Sequence, residues 1–359
     1  MKLAILGTRG IPNFYGGFEQ FAEYLSVGLT QMGHEVVVYN SHNHPYQKNE
    51  WKNVSIIRCY DPEHKLGTIG QFIYDFNCII DSRKRDFDVI LQLGYTSSSI
   101  WNWLFRKDVR IVTNMDGLEW KRTKYSEPTK LFLKFAECLA VKFSDDLVSD
   151  SIGIQKYLHH KYNINSEYIP YGATVFETPD EKVLEQYDLK PFEYDILIAR
   201  LEPENNIESI INGFIKSDVN RKLVVVGSLK TKLARKIHQQ TSDNRVQFLD
   251  FIPSLETLNN LRYFSNLYFH GHTVGGTNPS LLEAMSSNAL ICAHNNIFNK
   301  SILESHAFYF DTENDITDLV NTVNKTSFLS YCTFNQEKIL STYSHSTINK
   351  TYERFLNKF

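Results

Sequence analysis

The sequence contains few cysteines, and they stand in no pattern typical of a metal site or a disulfide framework. Its 359 residues include five cysteines, none in a Cys-x-x-Cys pair: Cys59, Cys78, Cys138, Cys292 and Cys332. An odd number of scattered cysteines predicts reduced thiols and a cytoplasmic protein.

Long apolar runs and an excess of one charge are also missing. No segment approaches the roughly 18 apolar residues of a membrane-spanning helix, and Gly7 interrupts the run at 3–6 before it reaches the length of a signal-peptide core. A net charge of −3 gives no reason to expect a nucleic-acid partner. Hydrophobic content of 42% and charged content of 22% are typical of a soluble globular protein, and the length suits two domains.

Short β-branched runs alternate with helical stretches, and this rhythm occurs twice. Strands are predicted at 3–6, 36–39, 54–57, 89–91, 109–112 and 147–149, and again at 195–199, 223–227, 246–249, 267–269 and 289–292. Such alternation indicates an α/β protein with two doubly wound parallel sheets. We expect a first domain at 1–172 and a second at 173–345, with a polar linker at about 172–192.

The segment from Gly271 to Met285 follows one predicted strand and enters a helix. Asn278 is a favourable N-cap and Pro279 suits the first helical position. Free amides at this helix start predict a phosphate site, and Glu283 places a carboxylate one turn further in. From these residues alone, an ordinary strand-turn-helix connection with a solvated glutamate remains open.

A second glycine-containing loop, Gly7–Gly17, follows the first predicted strand. It lacks the Gly-x-Gly-x-x-Gly dinucleotide fingerprint, which argues against hydride transfer. Gly16 and Gly17 can bring backbone amides close to a bulky anion, and Arg9 can assist. A flexible turn explains the same glycines equally well.

Two further side chains follow predicted strands, where open α/β sheets bind ligands. Arg200 can pair bidentately with phosphate, although a structural ion pair to Glu202 or Glu204 is the alternative. Asp116 can bring a carboxylate to a ligand there, and Glu119 is its rival. Asp116 can instead cap the turn before Gly117.

Histidines and a basic apolar segment complete the set of candidates. His270 and His272 have no cysteine or carboxylate at ligand spacing, so we expect no metal. His272 is expected to contact a bound ligand or to order its loop. Lysines alternate with large apolar residues over 121–143, a pattern found in helices on anionic membranes. A packed helix with its lysines in water is the preferred alternative.

Several of these segments resemble retaining glycosyltransferases of family 4, and most closely the bacterial polysaccharide rhamnosyltransferases. The resemblance extends over essentially the whole chain and rests on Gly16–Gly17, Met115–Trp120, Arg200–Asn206, Gly275–Pro279 and Glu283-Ala284-Met285. It implies a GT-B fold with two domains facing across a cleft and a last helix, at about 346–359, on the first domain. It also implies donor binding by Gly16, Gly17, Arg200, His272, Gly275, Gly276, Thr277, Asn278 and Glu283, and catalytic roles for Asp116, Arg200 and Glu283.

The chain departs from the wider family at two positions. Gly275 stands where a first glutamate is usual, and Asn205 replaces a lysine that neutralises the leaving diphosphate, unless Lys230 or Lys232 compensates. The rhamnosyltransferase resemblance implies dTDP-L-rhamnose as donor and no cofactor. It further implies a polyprenyl-diphosphate-linked saccharide as acceptor and a place on the cytoplasmic face of the inner membrane. A nucleotide-sugar epimerase and a non-catalytic scaffold of polysaccharide assembly remain alternatives.

Overall fold

A computed structural model describes residues 1–14, 16–122 and 125–358, and the chain divides into two compact units. The first unit comprises Met1–Lys121, Tyr125–Tyr171 and His345–Phe359, and the second comprises Arg122–Lys124 and Gly172–Ser344. Each unit has its own sheet and its own apolar core.

The strands of the first sheet are short and almost all parallel. They are β1 (Lys2–Leu6), β2 (Glu35–Ser41), β3 (Glu50–Trp51), β4 (Val54–Cys59), β5 (Val89–Leu93), β6 (Arg110–Asn114), β7 (Asp146–Ser149) and β8 (Glu167–Tyr168). Their order across the sheet is β3-β4-β2-β1-β5-β6-β7-β8, and only the β3–β4 pair is antiparallel. The carboxyl ends of β1 and β6 therefore open at the same edge.

The second sheet contains six parallel strands. They are β9 (Tyr194–Ile198), β10 (Lys222–Val226), β11 (Val246–Leu249), β12 (Tyr268–His270), β13 (Ile291–His294) and β14 (Phe308–Phe310). The order is β11-β10-β9-β12-β13-β14, so β9 and β12 are neighbours. The loops that follow these two strands consequently begin side by side.

Helices connect the strands in both units. They are α1 (Gly17–Gln31), α2 (Glu63–Leu66), α3 (Thr68–Ser82), α4 (Glu127–Phe143), α5 (Ile152–Tyr162), α6 (Ile207–Ile215), α7 (Lys232–Gln240), α8 (Leu255–Tyr263), α9 (Pro279–Ser286), α10 (Ile297–Leu303), α11 (Glu313–Thr322), α12 (Leu329–Lys338) and α13 (His345–Leu356). A π-helical turn, Ile339–Tyr343, separates the last two. The C-terminal α13 packs on α1, where the Asn349 amide donates to the Tyr24 carbonyl at 3.2 Å.

Each core forms because apolar strand residues face apolar stripes of the covering helices. In the first unit Ala4, Val37 and Ile90 pack with Tyr74 and Ile79 of α3. The corresponding core of the second unit contains strand and helix side chains that are almost completely buried: Leu197, Val225, Phe269, Ile210 and Phe214. These buried runs are the same β-branched and aromatic segments that predict the strands.

The predicted strands all occur, with shifts of one or two residues at their ends. Three short strands, β3, β8 and β14, were not predicted, because two or three residues carry no periodic signal. Within the predicted linker at about 172–192, Glu181–Tyr187 forms a 3₁₀ turn, and Leu184 in this turn is buried.

The composition raised two questions about the described residues: whether any helix could span a membrane, and whether the cysteines are free. Their helices include none with both the length and the apolar character needed to span a bilayer. All five cysteines are free thiols, and four of them are buried.

Candidate functional site

The start of α9 has the local structure that the sequence predicts. The Asn278 side chain accepts a hydrogen bond from the amide of Ser280 at 2.9 Å, and Pro279 occupies the first turn. Gly276 and Thr277 directly precede this capped helix start. The N-terminus of a helix favours negative charge, so their backbone amides lie where an anion is stabilised. The strand before this loop is β12, so the site lies at the carboxyl edge of the second sheet.

Gly275 adopts a backbone conformation that other residues rarely adopt. Its φ is +136°, and a Cβ atom built on it would lie 3.0 Å from Nε2 of His272. A side chain at this position is therefore disfavoured by backbone strain and by contact with the imidazole. A glutamate in place of Gly275 is therefore disfavoured in this loop conformation.

Glu283 is held by a buried arginine that sequence reasoning missed. Nη2 of Arg262 donates to the Glu283 carboxylate at 2.7 Å and lies 3.3 Å from the hydroxyl of Ser280. Nη1 of Arg262 donates to the side chain of Asn259 at 2.8 Å. The Arg262 side chain is 1% exposed and that of Glu283 18%. The carboxylate is thus fixed from the protein side while part of it still reaches solvent.

An aromatic ring supports this ion pair. The guanidinium of Arg262 lies 5.9 Å from the ring centroid of Tyr268, and the Tyr268 hydroxyl is 2.9 Å from that of Ser280. Arg262 lies in α8, 21 residues before Glu283, so no local spacing links them. A sequence signal for the pair is lacking because arginines in helices usually face water.

Arg200 follows β9 and is exposed. Its carbonyl accepts hydrogen bonds from the amide of Glu202 and the side chain of Asn205, both at 2.7 Å. Within the described part of the chain its guanidinium makes no ion pair with Glu202 or Glu204. Glu204 instead pairs with Arg122, with 3.6 Å between Nη1 and Oε1.

The loops after β9 and β12 are joined by hydrogen bonds. The amide of Thr273 donates to the Glu204 carbonyl at 3.0 Å, and the Asn206 side chain donates to the Gly271 carbonyl at 2.8 Å. A Cβ atom on Gly271 would lie 2.0 Å from the Asn205 carbonyl oxygen, so only glycine allows this approach. Arg200 and the loop before α9 are therefore parts of one structure.

Both histidines of this region are neutral at pH 7. Burial lowers the pKa of His270 to about 3. Burial, followed by the charges of Arg122 and Arg200, lowers the pKa of His272 to about 4. Nδ1 of His272 lies 2.9 Å from the side-chain oxygen of Asn205. His272 and Asn205 thus order the loop together. Lys230 and Lys232, the two lysines that could compensate for Asn205, are exposed near the start of α7.

In the first unit, Gly16 is the N-cap of α1 and Gly17 its first residue. The Gly16 amide donates to the side chain of Asn13 at 3.2 Å. Arg9 makes a bidentate pair with Glu63 at 2.7 and 2.9 Å, and this pairing raises the pKa of Arg9. Its guanidinium is thus already matched to a carboxylate.

Asp116 lies beyond β6 in the first unit, in a left-handed conformation with φ +50°. Its amide donates to the Asn114 side chain at 3.1 Å. Burial, followed by the charge of Asp116, raises the pKa of Tyr171 well above its usual value, which places the carboxylate beside that phenol. Glu119 begins the 3₁₀ turn Glu119–Lys121. Whether Asp116 caps the turn before Gly117 or positions a ligand stays a prediction.

A buried carboxylate that the sequence does not reveal lies in α4. Glu137 is 1% exposed and accepts hydrogen bonds at 2.7 to 3.1 Å from four side chains: Trp120, Tyr157, Lys161 and Tyr162. The hydrogen bond to Glu137 fixes the side chain of Trp120, which directly follows Glu119. The outer face of α4 exposes Leu131 and Phe135 beside Lys134.

The predicted site residues therefore fall into two groups. Arg200, His272, Gly275–Asn278 and Glu283 lie together at the edge of the second sheet, whereas Gly16, Gly17 and Asp116 belong to the first unit. The group in the second unit offers backbone amides, the exposed guanidinium of Arg200 and the fixed carboxylate of Glu283, which suit an anion attached to a hydroxylated ring. The described residues contain no cluster of three or more His, Cys, Asp or Glu side chains able to hold a metal ion.

Comparison with known proteins identifies the fold. Residues 1–174 match a family described as a domain of unknown function, DUF1972. Among curated proteins, none matches the chain. Similar solved structures include HepE from Anabaena in complex with UDP and glucose, with a TM-score of 0.79, 15% identity and coverage of 100% of this chain and 99% of that one.

Two further structures agree. Sucrose-phosphate synthase from Thermosynechococcus elongatus has a TM-score of 0.78 at 16% identity, covering 99% of this chain and 98% of its own. A glycosyltransferase from Rickettsia africae has a TM-score of 0.69 at 12% identity, with 99% and 97% coverage. With two parallel sheets and matches over the whole chain, the protein has the GT-B fold, built from two Rossmann-like domains.

Proposed function

We propose that the protein is a retaining glycosyltransferase that takes its sugar from a nucleotide-sugar donor. The observation that carries the proposal is the carboxylate of Glu283, held at 2.7 Å by buried Arg262 one turn inside the α9 start. A carboxylate fixed beside a phosphate-favouring helix start suits a ribose joined to a diphosphate. Similarity to HepE, solved with UDP and glucose, and to sucrose-phosphate synthase supports the same substrate class.

Each group has a role in this proposal. Glu283 accepts a hydrogen bond from a hydroxyl group of the nucleotide sugar ring. In a thymidine donor, which lacks the 2′-hydroxyl, this group is the 3′-hydroxyl. In the second unit, Arg200 and the Gly275–Thr277 amides neutralise the diphosphate, while His272 orders the donor loop. Asp116 positions the acceptor. The departing phosphate oxygen accepts the acceptor hydroxyl proton as the glycosidic bond opens, so the protein mainly positions both sugars and stabilises phosphate charge.

We further propose dTDP-L-rhamnose as the donor. Gly275 removes a carboxylate that would otherwise demand polar pairing on the transferred sugar. Its φ of +136° and the nearby imidazole of His272 disfavour a side chain there. This leaves room for the methyl group of a 6-deoxy sugar.

The acceptor in this proposal is a polyprenyl-diphosphate-linked saccharide of a surface polysaccharide. The exposed face of α4, where Leu131 and Phe135 lie beside Lys134, supports contact with an anionic membrane. Flotation with anionic vesicles should recover the protein, and Phe135→Glu should reduce that recovery. Equal recovery of both proteins would remove the membrane part of the proposal.

The central test is binding of nucleoside diphosphates followed by turnover. A ligand bound only by the folded state raises the melting temperature, so dTDP or UDP should stabilise the protein. Glu283→Gln should weaken that binding by on the order of tenfold or more, because it removes a charged hydrogen-bond acceptor. Unchanged affinity would make Glu283 purely structural.

Turnover separates the proposal from its alternatives. Sugar transfer requires both donor and acceptor, whereas an epimerase converts the donor alone. Competition between dTDP-L-rhamnose, UDP-glucose and GDP-mannose on a lipid-linked acceptor then tests the sugar. A preference for a D-hexose would retain the glycosyltransferase and remove the rhamnose assignment.

A further inference from the structure

The second unit lacks a cation at one position of its proposed diphosphate site. Asn205 stands there, and it is engaged on both sides. Its side-chain nitrogen donates to the Arg200 carbonyl at 2.7 Å, and its side-chain oxygen lies 2.9 Å from Nδ1 of His272. This pair is neutral, so it orders the loop without adding positive charge.

Arg122 brings a positive charge to the adjacent residue. It groups with the second unit, and its Nη1 atom lies 3.6 Å from Oε1 of Glu204. The side chains are 16% and 2% exposed. Neither carboxylate oxygen of Glu204 has a hydrogen-bond partner among the described residues. The two groups are thus held by charge at a distance longer than a hydrogen bond.

Arg122 and Arg200 both lie near His272. Burial, followed by the charges of Arg122 and Arg200, lowers the pKa of this imidazole. Glu204 directly precedes Asn205. Its carbonyl accepts a hydrogen bond from the backbone amide of Thr273, the residue after His272. The guanidinium of Arg122 therefore lies at the carboxylate of a residue whose backbone is hydrogen-bonded to the loop that leads into α9.

We propose that Arg122 binds the diphosphate of the donor together with Arg200, supplying the cation that Asn205 does not. The inference rests on the proposed function. Guanidinium groups match phosphate oxygens bidentately, and two of them suit a diphosphate better than one. Glu204 has a supporting role, since it balances the charge of the largely buried Arg122 before the donor binds.

The test is calorimetric titration with dTDP, dTMP and thymidine on wild type, Arg122→Ala, Arg122→Lys and Lys121→Ala. Arg122→Ala should weaken dTDP binding by about 10- to 100-fold, as expected for loss of a charge-assisted contact. Thymidine affinity should stay unchanged. Arg122→Lys should recover part of the loss because it keeps the charge without the bidentate geometry. Lys121→Ala, which removes one positive charge from the neighbouring residue, should bind dTDP like wild type.

The outcomes separate this inference from the proposed function. If wild type binds neither dTDP nor UDP, the proposed function fails, and Arg122 fails with it. If wild type binds dTDP and Arg122→Ala binds it equally well, only the role of Arg122 is overturned. An equal loss of dTDP and thymidine affinity also overturns it. Thymidine has no phosphate, so the loss of a phosphate contact cannot weaken its binding. Should Arg122→Ala lower the melting temperature, Arg122→Gln, which keeps most of the side chain, takes its place.

Discussion

Arg262 donates to the carboxylate of Glu283 at 2.7 Å from a position that is almost completely buried. The same guanidinium contacts Asn259 and Ser280, and it lies near the ring of Tyr268. One helix, α8, thus positions the carboxylate of another, α9. A charged side chain fixed in this way is pre-organised for a ligand, because little conformational freedom is lost on binding.

We first predict that removing Arg262 destabilises the protein strongly. Arg262→Met leaves the Glu283 carboxylate without its buried partner, which should lower the free energy of unfolding by about 3–5 kcal/mol. The double variant Arg262→Met/Glu283→Met should recover much of this loss, since neither charge is left alone. Urea denaturation measures both.

The matched control is Lys216→Met, which breaks an exposed ion pair with Glu313 at the same nitrogen–oxygen distance of 2.7 Å. Exposed pairs contribute little, so this variant should resemble wild type. Additive losses in the double variant would contradict the coupling of Arg262 and Glu283.

The second prediction concerns Arg200. Arg200→Ala should lower turnover by on the order of 10²-fold, because a contact to developing phosphate charge is lost. The melting temperature should change little, since the side chain is exposed and forms no ion pair within the described residues. Arg235→Ala, an exposed arginine in α7, serves as the control in the same assay. Near-normal activity of a folded Arg200→Ala protein would remove Arg200 from the site.

Local signals in the sequence were sufficient for the fold and for the start of α9. Runs such as 223–227 are both β-branched and buried, so one pattern predicts strand and core together. Asn278 and Pro279 act within one turn, and their roles follow from the residues themselves.

The remaining site features depend on partners that are distant in sequence. Arg262 precedes Glu283 by 21 residues, and the donors to Glu137 come from 17 to 25 residues away. Such contacts exist only after helices and loops have packed, so no spacing in the sequence reveals them. Arg122 is similar, because its partner Glu204 follows 82 residues later.

Our third prediction is a loss of stability in mild acid. The folded-state pKa of His272 is lowered to about 4 by burial and by Arg122 and Arg200, while an unfolded histidine titrates near 6.5. Between these values the unfolded chain binds the extra proton, so the contribution is complete above about pH 6.5 and is lost as the pH falls toward 4.

Urea midpoints at pH 7.5 and 5.0 measure this effect. Wild type should lose more stability between the two values than His272→Gln, which keeps a polar side chain but cannot titrate. Other buried histidines, including His270 and His345, leave a remaining pH dependence in the variant. An identical change in both proteins would show that the pKa of His272 is the same in the folded and unfolded states, which would contradict the prediction.

The last prediction concerns Gly275, whose conformation connects the loop to the donor site. Gly275→Ala adds a Cβ atom 3.0 Å from Nε2 of His272 at a φ of +136°. The strained backbone should cost about 1–3 kcal/mol of stability. Because the imidazole must shift as well, the Gly276 and Thr277 amides should move from the helix start, and nucleoside diphosphate affinity should fall.

Gly33→Ala separates strain from site geometry. Gly33 also has a positive φ, +90°, but a Cβ atom there would meet nothing within 4 Å. It should therefore lose stability by a similar mechanism while binding dTDP like wild type. Calorimetric titration of both variants, with melting curves for each, makes the comparison. If Gly275→Ala binds dTDP as tightly as Gly33→Ala does, the loop from Gly275 to Asn278 does not contact the diphosphate, and the donor must be held elsewhere.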